Sequence, residues 1–327
     1  MLITRTPLRI AIGGGGTDLP SYYRRAGGGF VISAAIQKYV YIALNATFTD
    51  DWFVKYSETE RVGSIDEIRH NIIRTALKLH PVGPGIEIDS VADIPAGTGL
   101  GSSGSFTVGL LKALHAYGYN RIGDHELAEE ACAIEIDHLD QPVGKQDQYI
   151  AVFGGLTCFE LHPDDSVSVS SLAISPETLW DLSENLLMFF TGYSRAAASV
   201  LADQRQRSER DDRAMLDNLS FIKDTGYEIR KRLEDGDTSG FAALMHEHWM
   251  RKRARSDGMT NESINRWYDL ALTSGALGGK LVGAGGGGFL LFYASDPARL
   301  RAAMSREGLA EVRFGFDLDG STVLVRD

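Results

Sequence analysis

The chain has 327 residues, 43% of them hydrophobic, enough to bury one large core or two modest ones, which favours a two-lobed globular enzyme. Acidic residues outnumber basic ones by 44 to 33, and the net charge of -11 disfavours a nucleic-acid or anionic-membrane surface, since both attract basic proteins. The 2 cysteines form no CxxC pair, which argues against a disulfide framework or a cysteine-built metal site.

The N-terminal segment lacks the apolar stretch of a signal peptide. No segment reaches the roughly 18 consecutive apolar residues that a membrane-spanning helix requires. We therefore expect a cytoplasmic protein whose partners are small molecules rather than membranes or nucleic acids.

Clusters of glycine separate the predicted elements of the N-terminal part. Leu8–Ile12 and Val31–Leu44 are rich in β-branched and apolar residues and are predicted to be strands. Ile65–Leu79 predicts a helix, and Ile86–Ile88 predicts a short strand. Apolar residues recur at helical spacing in Ser102–Tyr117, so a glycine-rich loop opens directly into a helix there.

Helices and short strands follow in irregular order. A helix is predicted to begin after Asp124, a favourable N-cap, and to continue to about Leu139. Leu186–Thr191 is a short apolar run typical of a buried strand, and Phe289–Tyr293 is similar. The charged stretch Ala197–Arg255 predicts at least two amphipathic helices.

This irregular mixture predicts an α+β fold with two domains. The boundary is expected near residue 182, because the preceding span 162–184 is polar and contains proline. The predicted N-terminal domain is therefore 1–182, and the C-terminal domain is 183–327.

The densest glycine segment, Pro95–Gly104, predicts a phosphate-binding loop. Glycine lets the backbone turn tightly and approach a ligand, and the N-terminus of the following helix favours an anion. The candidate nucleotide-binding residues are Pro95, Gly97, Gly99, Leu100, Gly101, Ser102, Ser103 and Gly104. A structural turn before a helix is the alternative interpretation.

A dinucleotide-binding site is a second interpretation, because Gly99–Gly104 and Gly283–Gly288 both match GxGxxG. Such a site needs a strand that ends in an acidic residue roughly 20 positions later. Asp124 has that spacing but follows a helix and a polar turn, and a predicted strand rather than a helix follows Gly288. An NAD-dependent oxidoreductase is therefore disfavoured.

The motif Pro95–Ser103 resembles the nucleotide-binding signature of GHMP kinases, and two further motifs stand in the order found in that family. Thr6–Asp18 resembles the N-terminal sugar-binding motif, and Lys280–Gly288 resembles the C-terminal glycine motif. The resemblance implies an N-terminal ATP-binding lobe, a ferredoxin-like C-terminal lobe and an active site between them. It also implies ATP and Mg²⁺ as cofactors.

The resemblance further implies individual roles. Asp147 faces the acceptor hydroxyl and Arg9 lies beside the reacting groups, so both are expected to be catalytic. Ser103 and Glu135 are expected to bind Mg²⁺. The residues expected to contact the sugar are Gly15, Gly16, Thr17, Asp18, Gly285 and Gly286.

Two of these roles can be weighed from residue patterns alone. Glu135 shares a predicted helix face with small and apolar residues, so its carboxylate needs a partner, either Mg²⁺ or the cation of a structural salt bridge. Asp147 follows Pro142 at the start of a predicted helix, where an acidic residue is more often an N-terminal helix charge than a catalyst.

The acceptor is indicated by Gly13–Asp18, Lys145–Tyr149 and Thr191–Arg195, which resemble segments of the D-glycero-D-manno-heptose 7-phosphate kinases within this family. L-fucokinase domains share part of the pattern, so an L-fucokinase- or galactokinase-like enzyme is an alternative. A sugar phosphate requires a local cation, and Arg195 is the first candidate for a bidentate phosphate contact. A surface ion pair is the alternative role for Arg195.

The densest basic run is Arg251–Arg255. Such runs commonly lie on a solvent-exposed helix face, and substrate contact is the less favoured alternative. A non-catalytic sugar- or nucleotide-binding protein is the remaining alternative function. The joint presence of Arg9, Ser103, Glu135 and Asp147 argues against it.

Overall fold

The computed structural model describes residues 1–80, 82–192, 198–210, 212–255 and 258–326, which contain two β-sheets. The strands of the larger sheet are β1 (Leu2–Gly13), β2 (Gly29–Ala46), β3 (Trp52–Lys55), β4 (Thr59–Val62), β5 (Ile86–Ala92), β6 (Leu156–Leu161), β7 (Val167–Ser171) and β12 (Thr322–Arg326). The strands of the smaller sheet are β8 (Leu186–Phe190), β9 (Ala276–Leu281), β10 (Phe289–Ala294) and β11 (Ala310–Glu311).

The helices pack on these two sheets. They are α1 (Pro20–Tyr23), α2 (Asn71–Leu79), α3 (Ser102–Tyr117), α4 (Asp124–Cys132), α5 (Gln146–Phe153), α6 (Pro176–Asn185), α7 (Ala198–Glu209), α8 (Arg213–Glu234), α9 (Thr238–Arg253), α10 (Glu262–Thr273) and α11 (Pro297–Arg306). A short 3₁₀ helix at Ile65–Glu67 precedes α2, and a π-helical segment at Ala133–His138 continues α4.

β1 and β2 form the centre of the larger sheet, because both are long and rich in buried apolar residues. They pair antiparallel from Leu2 opposite Leu44 to Gly13 opposite Ile32. The two predicted strands lie within them and are confirmed. The strand order is β12-β1-β2-β5-β3-β4, and β6 joins the other end of β2 and pairs with β7.

Helix α3 lies close against β1, which fixes the position of its N-terminus. The Thr4 hydroxyl donates to the Gly109 carbonyl oxygen at 2.9 Å. A Cβ at Gly109 would lie 2.8 Å from the Thr6 hydroxyl oxygen, so glycine permits this approach. The predicted helix Ser102–Tyr117 is confirmed at both ends.

The smaller sheet forms a ferredoxin-like lobe. Its order is β11-β8-β10-β9, all its pairs are antiparallel, and helices lie between β8 and β9 and between β10 and β11. The predicted two-lobed α+β fold is therefore confirmed. Residue 182, the predicted domain boundary, lies within α6 just before β8. The division into 1–182 and 183–327 stays a prediction. Strand β12 belongs to the second range by sequence but pairs with β1 in the larger sheet.

Two local predictions were wrong. The helix predicted over Ile65–Leu79 is interrupted, because the Glu60 carboxylate accepts the backbone N–H groups of Arg69 at 2.7 Å and of His70 at 3.2 Å. Asp124 is the first residue of α4 rather than its N-cap, which is Gly123. Its charge still lies in the first turn, where it favours the helix.

The two GxGxxG segments do not lie in dinucleotide-binding units. In the described chain, α3 leads to α4 with no strand between them, and β10 follows Gly288 directly. Both observations agree with the sequence-based argument against an NAD-dependent oxidoreductase. Among the described residues, no helix combines the length and apolarity needed to cross a membrane.

Candidate active site

A cavity of about 690 Å³ is lined by both lobes, and most of the polar residues predicted to form the site lie in its wall. The predicted residues in its wall are Arg9, Gly15, Gly16, Asp18, Gly97, Gly99, Gly101, Ser102, Ser103 and Asp147. The predicted residues outside the wall are Thr17, Pro95, Leu100, Gly104, Glu135, Gly285 and Gly286. Arg195 lies outside the described residues, so its proposed contact with phosphate stays a prediction.

The turn that precedes α3 forms a cradle on one side of the cavity. Gly97, Gly99 and Gly101 have φ angles of 78°, 85° and 76°, a left-handed backbone that glycine adopts at the lowest cost. Gly101 is the N-cap of α3 and supplies no side chain, so N–H groups of the first helical turn remain available to an anion. Ser102 and Ser103 add hydroxyl groups beside them.

Arg9 and Asp147 form a two-point ion pair next to this cradle. Arg9 donates from Nε to Asp147 Oδ1 at 2.7 Å and from Nη2 to Oδ2 at 2.9 Å, while Nη1 donates to the Gly99 carbonyl oxygen at 2.6 Å. Gly101 permits this arrangement, since a Cβ there would lie 3.0 Å from Arg9 Cγ. Asp147 keeps 23% of its side chain exposed. The pair therefore fixes the direction of a carboxylate that faces the cavity.

The glycine loop that follows β9 packs directly against the cradle. A Cβ at Gly283 would lie 2.5 Å from Gly99 Cα, and a Cβ at Gly288 would lie 2.2 Å from the Thr98 carbonyl oxygen. Backbone therefore contacts backbone across the two lobes, which only glycine permits at this distance. The predicted C-terminal glycine motif thus shapes the nucleotide loop.

We expect Gly283→Ala to destabilise the protein by about 1–3 kcal/mol and to weaken binding of an ATP analogue, because the new methyl group displaces the cradle. Gly308→Ala is a matched control, since Gly308 has a similar φ of +78° but nothing within 4 Å of its added Cβ. Urea unfolding and calorimetric titration with AMP-PNP measure both effects. Equal AMP-PNP affinity in the two variants would show that this loop contact does not shape the nucleotide site.

Glu135 is fully buried behind the cradle, in the π-helical segment. Gln148 donates to its Oε1 at 2.8 Å, whereas Oε2 has no hydrogen-bond partner among the described residues. Burial raises the pKa of Glu135 to about 6, and the Ser103 and Gln148 side chains offset part of that increase. A buried carboxylate oxygen without a donor, close to a serine hydroxyl, fits a hard cation such as Mg²⁺ that prefers oxygen ligands.

Asp18 lies in the cavity wall, in the loop that follows β1. Its Oδ1 accepts the Gly16 N–H at 3.0 Å and its Oδ2 accepts the Gln146 N–H at 3.3 Å. Burial raises the pKa of Asp18, and the negative charge of Asp147 adds to the increase. Both carboxylates thus border the same part of the cavity, where a polar acceptor can reach them.

The other predicted sugar contacts have structural partners. The Thr17 hydroxyl lies 2.9 Å from the Phe30 carbonyl oxygen and also accepts the Phe30 N–H at 3.1 Å. Gly286 donates its N–H to the Met259 carbonyl oxygen at 2.9 Å, and a Cβ at Gly285 would lie 2.2 Å from Met259 Sδ. Their contacts with a sugar stay predictions.

Four further polar residues of the cavity wall were not among the predicted site residues. His248, Lys252 and Arg255 come from α9 or the turn after it, and Lys280 comes from β9. The expectation that the basic run Arg251–Arg255 lies on a solvent-exposed face was wrong for two of its members, because Lys252 and Arg255 are buried. Their i, i+3 spacing on one helical face was the available signal.

An apolar end of the cavity was also missed. Its wall includes Tyr56, His70, Ile72, Val91, Ile94 and Phe106. The rings of His70 and Phe106 stack with centroids 4.9 Å apart, next to the cradle's helix. These residues come from separate elements, so no sequence motif marks them. The exposed faces of such rings and aliphatic side chains can pack against a flat aromatic group.

Two family models match this chain. GHMP kinases N terminal domain matches residues 70–155, and GHMP kinases C terminal matches residues 229–310. The first match contains the cradle, Glu135 and Asp147, and the second contains Lys252, Lys280 and the glycine loop after β9.

Individual proteins resemble the chain along most of its length. It is 28% identical to a D-glycero-alpha-D-manno-heptose 7-phosphate kinase from Campylobacter jejuni over 334 aligned residues, which cover 97% of each protein. It is 26% identical to an L-fucokinase/L-fucose-1-P guanylyltransferase from Bacteroides fragilis, over 90% of this chain and 34% of that protein. A solved D-glycero-D-manno-heptose 1-phosphate kinase from Bacteroides thetaiotaomicron shares the fold, with a TM-score of 0.81, 24% identity and 100% coverage of both chains.

Proposed function

Because this chain belongs to the GHMP kinase family and is an ATP-dependent phosphotransferase acting on a sugar hydroxyl, we propose that it phosphorylates the anomeric hydroxyl of D-glycero-D-manno-heptose 7-phosphate. The product is the 1,7-bisphosphate, which serves GDP-heptose biosynthesis. The alignment with the Campylobacter jejuni relative carries this choice, since it covers 97% of both chains and so includes both lobes.

In this proposal, the two ends of the cavity bind different parts of ATP. The triphosphate lies on the cradle Gly97–Gly104 and at the N-terminus of α3, where backbone N–H groups favour an anion. The adenine ring lies in the apolar end beside His70 and Phe106, which offers flat apolar surface. Asp147 adjoins Gly101 and Gly104 of the cradle, so a γ-phosphate bound there would lie near its carboxylate.

Asp147 accepts a hydrogen bond from the acceptor hydroxyl and takes its proton as the new bond from oxygen to the γ-phosphorus forms and the bond to ADP breaks. Arg9 holds this carboxylate at two points, so the hydroxyl is aligned before the reaction. The guanidinium also lies beside the cradle, where it offsets negative charge in the transition state.

Ser103 and Glu135 would hold Mg²⁺. Glu135 Oε2 supports this assignment, since it is buried without a hydrogen-bond partner among the described residues. When bound, the ion would neutralise charge on the phosphate oxygens of ATP.

A panel of acceptors tests the proposal. We expect kcat/KM for D-glycero-D-manno-heptose 7-phosphate to exceed that for free heptose, L-fucose and galactose by at least about tenfold, the scale of one lost charged hydrogen bond. Phosphorus and proton NMR of the product identify the phosphorylated carbon. A preference for free L-fucose or galactose would contradict the heptose assignment and favour the kinase alternatives. Absence of ATP turnover with every sugar would favour a non-catalytic binding protein.

A further inference from the structure

Three buried basic side chains, Lys252, Arg255 and Lys280, form a group in the cavity wall that we call the basic cluster. They are 7%, 5% and 2% exposed, respectively. Lys252 and Arg255 come from the end of α9, and Lys280 comes from the neighbouring strand β9. The cluster therefore belongs to the C-terminal lobe and faces the N-terminal lobe across the cavity.

The cluster carries charge that its neighbours do not balance. Lys252 Nζ donates to the carbonyl oxygens of Gly283 and Leu281, and Lys280 Nζ lies 3.4 Å from the Ile12 carbonyl oxygen. These acceptors are neutral. Within the described ranges, neither lysine makes an ion pair with a carboxylate.

Arg255 also makes no ion pair with a carboxylate among the described residues. Its Nε donates to Asn218 Oδ1 at 3.0 Å and its Nη1 donates to Gln204 Oε1 at 3.0 Å, both neutral amides. Its Nη2 is buried and lacks a partner in the described part of the chain. The nearest acidic influence is Asp18, whose charge acts on Arg255 without an ion pair.

Burial of a cation without a counter-charge costs free energy, and this cost lowers the pKa of the two lysines. Burial lowers the pKa of Lys280 to about 7, with further lowering by Arg9 and Arg255. The pKa of Lys252 is also lowered well below its usual value by burial and by Lys280. A bound anion would offset this repulsion, so a cluster of this kind is typical of an anion site rather than of a structural core.

His248 adds a neutral polar group to the same wall. It is 1% exposed, and neither ring nitrogen has a hydrogen-bond partner among the described residues. Burial and the neighbouring lysines lower its pKa well below the usual range, so the ring is neutral and offers one donor and one acceptor. A ligand with oxygen atoms at this place would satisfy it.

The positions of Arg255 and Lys280 favour the acceptor over ATP. Arg255 Nη1 lies 2.8 Å from where a Cβ of Gly16 would be, and Gln204 Nε2 donates to the Gly16 carbonyl oxygen at 2.9 Å. Arg255 thus adjoins the loop that ends at Asp18, and Lys280 contacts Ile12 just before that loop, whereas Lys252 donates to the Gly283 carbonyl oxygen beside the cradle. The cradle and α3 supply a separate set of donors for the triphosphate.

We infer that the basic cluster, Lys252, Arg255 and Lys280, binds the phosphate group that the sugar acceptor already carries, with His248 as a further hydrogen-bonding group. This inference rests on the proposed function, because it names the part of the site that selects a phosphorylated sugar. A phosphate dianion offsets two of the three positive charges, whereas an unphosphorylated sugar leaves all three without a counter-charge.

Lys280→Met and Lys252→Met test the inference, since methionine keeps most of the length and removes the charge. Each should raise KM for D-glycero-D-manno-heptose 7-phosphate by about tenfold to a hundredfold, a much larger factor than its effect on kcat/KM for free heptose or on the Kd for AMP-PNP. Arg251→Met is the matched control, because Arg251 is exposed on the same helix and is not in the cavity wall. It should leave all three quantities unchanged.

Thermal unfolding without ligand separates this role from a structural one. Removal of the Lys280 charge, whose nearest described acceptor is the Ile12 carbonyl oxygen at 3.4 Å, should leave the Tm unchanged or raise it, whereas loss of a structural lysine lowers it. Equal losses for phosphorylated and free heptose would overturn the inference, and a selective loss of AMP-PNP affinity would assign the cluster to the γ-phosphate of ATP. Wild-type preference for unphosphorylated sugars would refute both the proposed function and the inference; intact wild-type preference with unaffected variants would refute the inference alone.

Discussion

Asp147→Asn is expected to lower kcat by at least about 100-fold while AMP-PNP affinity stays within about twofold of wild type. The substitution keeps the shape of the side chain but removes the charge and the basic oxygen that faces the acceptor. The cradle and the N-terminus of α3 remain, so nucleotide binding should persist. Steady-state kinetics with saturating sugar phosphate, together with calorimetry, measure the two quantities.

Asp124→Asn is the matched control for the loss of a helix N-terminal charge. Asp124 is exposed in the first turn of α4, as Asp147 is placed in the first turn of α5. Its substitution should change stability by about 0.3–1 kcal/mol and leave kcat unchanged. If Asp147→Asn retained near-normal kcat and showed only a similar loss of stability, Asp147 would be a helix charge rather than a catalytic group.

Ser103→Ala and Glu135→Gln are each expected to raise the Mg²⁺ concentration needed for half-maximal activity by about tenfold to a hundredfold, because each removes an oxygen ligand. Glutamine can still accept the hydrogen bond that Gln148 donates at 2.8 Å, so the fold should persist. The combined variant should show less than the sum of the two effects on a free-energy scale, since both substitutions damage one site. Titration of the ATP-bound protein with Mn²⁺, followed by electron paramagnetic resonance, measures metal affinity without turnover.

Ser105→Ala controls for the loss of a serine from α3. The Ser105 hydroxyl is buried and donates to the Pro7 carbonyl oxygen at 2.7 Å, so its removal should lower the Tm without changing the Mg²⁺ requirement. Full additivity of Ser103→Ala and Glu135→Gln at saturating Mg²⁺ would indicate that one of them has a structural role instead.

Several predictions that depend only on residues close together in the chain agree with the structure. The helix Ser102–Tyr117 follows from apolar spacing and from a glycine before its first residue, and the cradle in front of it follows from the same glycines. The helix predicted to continue to about Leu139 is α-helical only to Cys132 and then changes to π-helical geometry at Ala133–His138. Hydrophobic periodicity cannot show that change, which displaces Glu135 within the same helix.

The sequence by itself determined the family, the two-lobed α+β fold and the position of the loop that we propose to bind phosphate, because glycines with left-handed φ and a following helix are local features. Only the tertiary structure decided which charges share the cavity. Arg9 and Asp147 lie 138 positions apart and meet through the contact of β1 with α5. Lys252 and Lys280, which we propose to bind an anion, are buried together because α9 packs on β9. The cost of burying their charge depends on that packing rather than on sequence position.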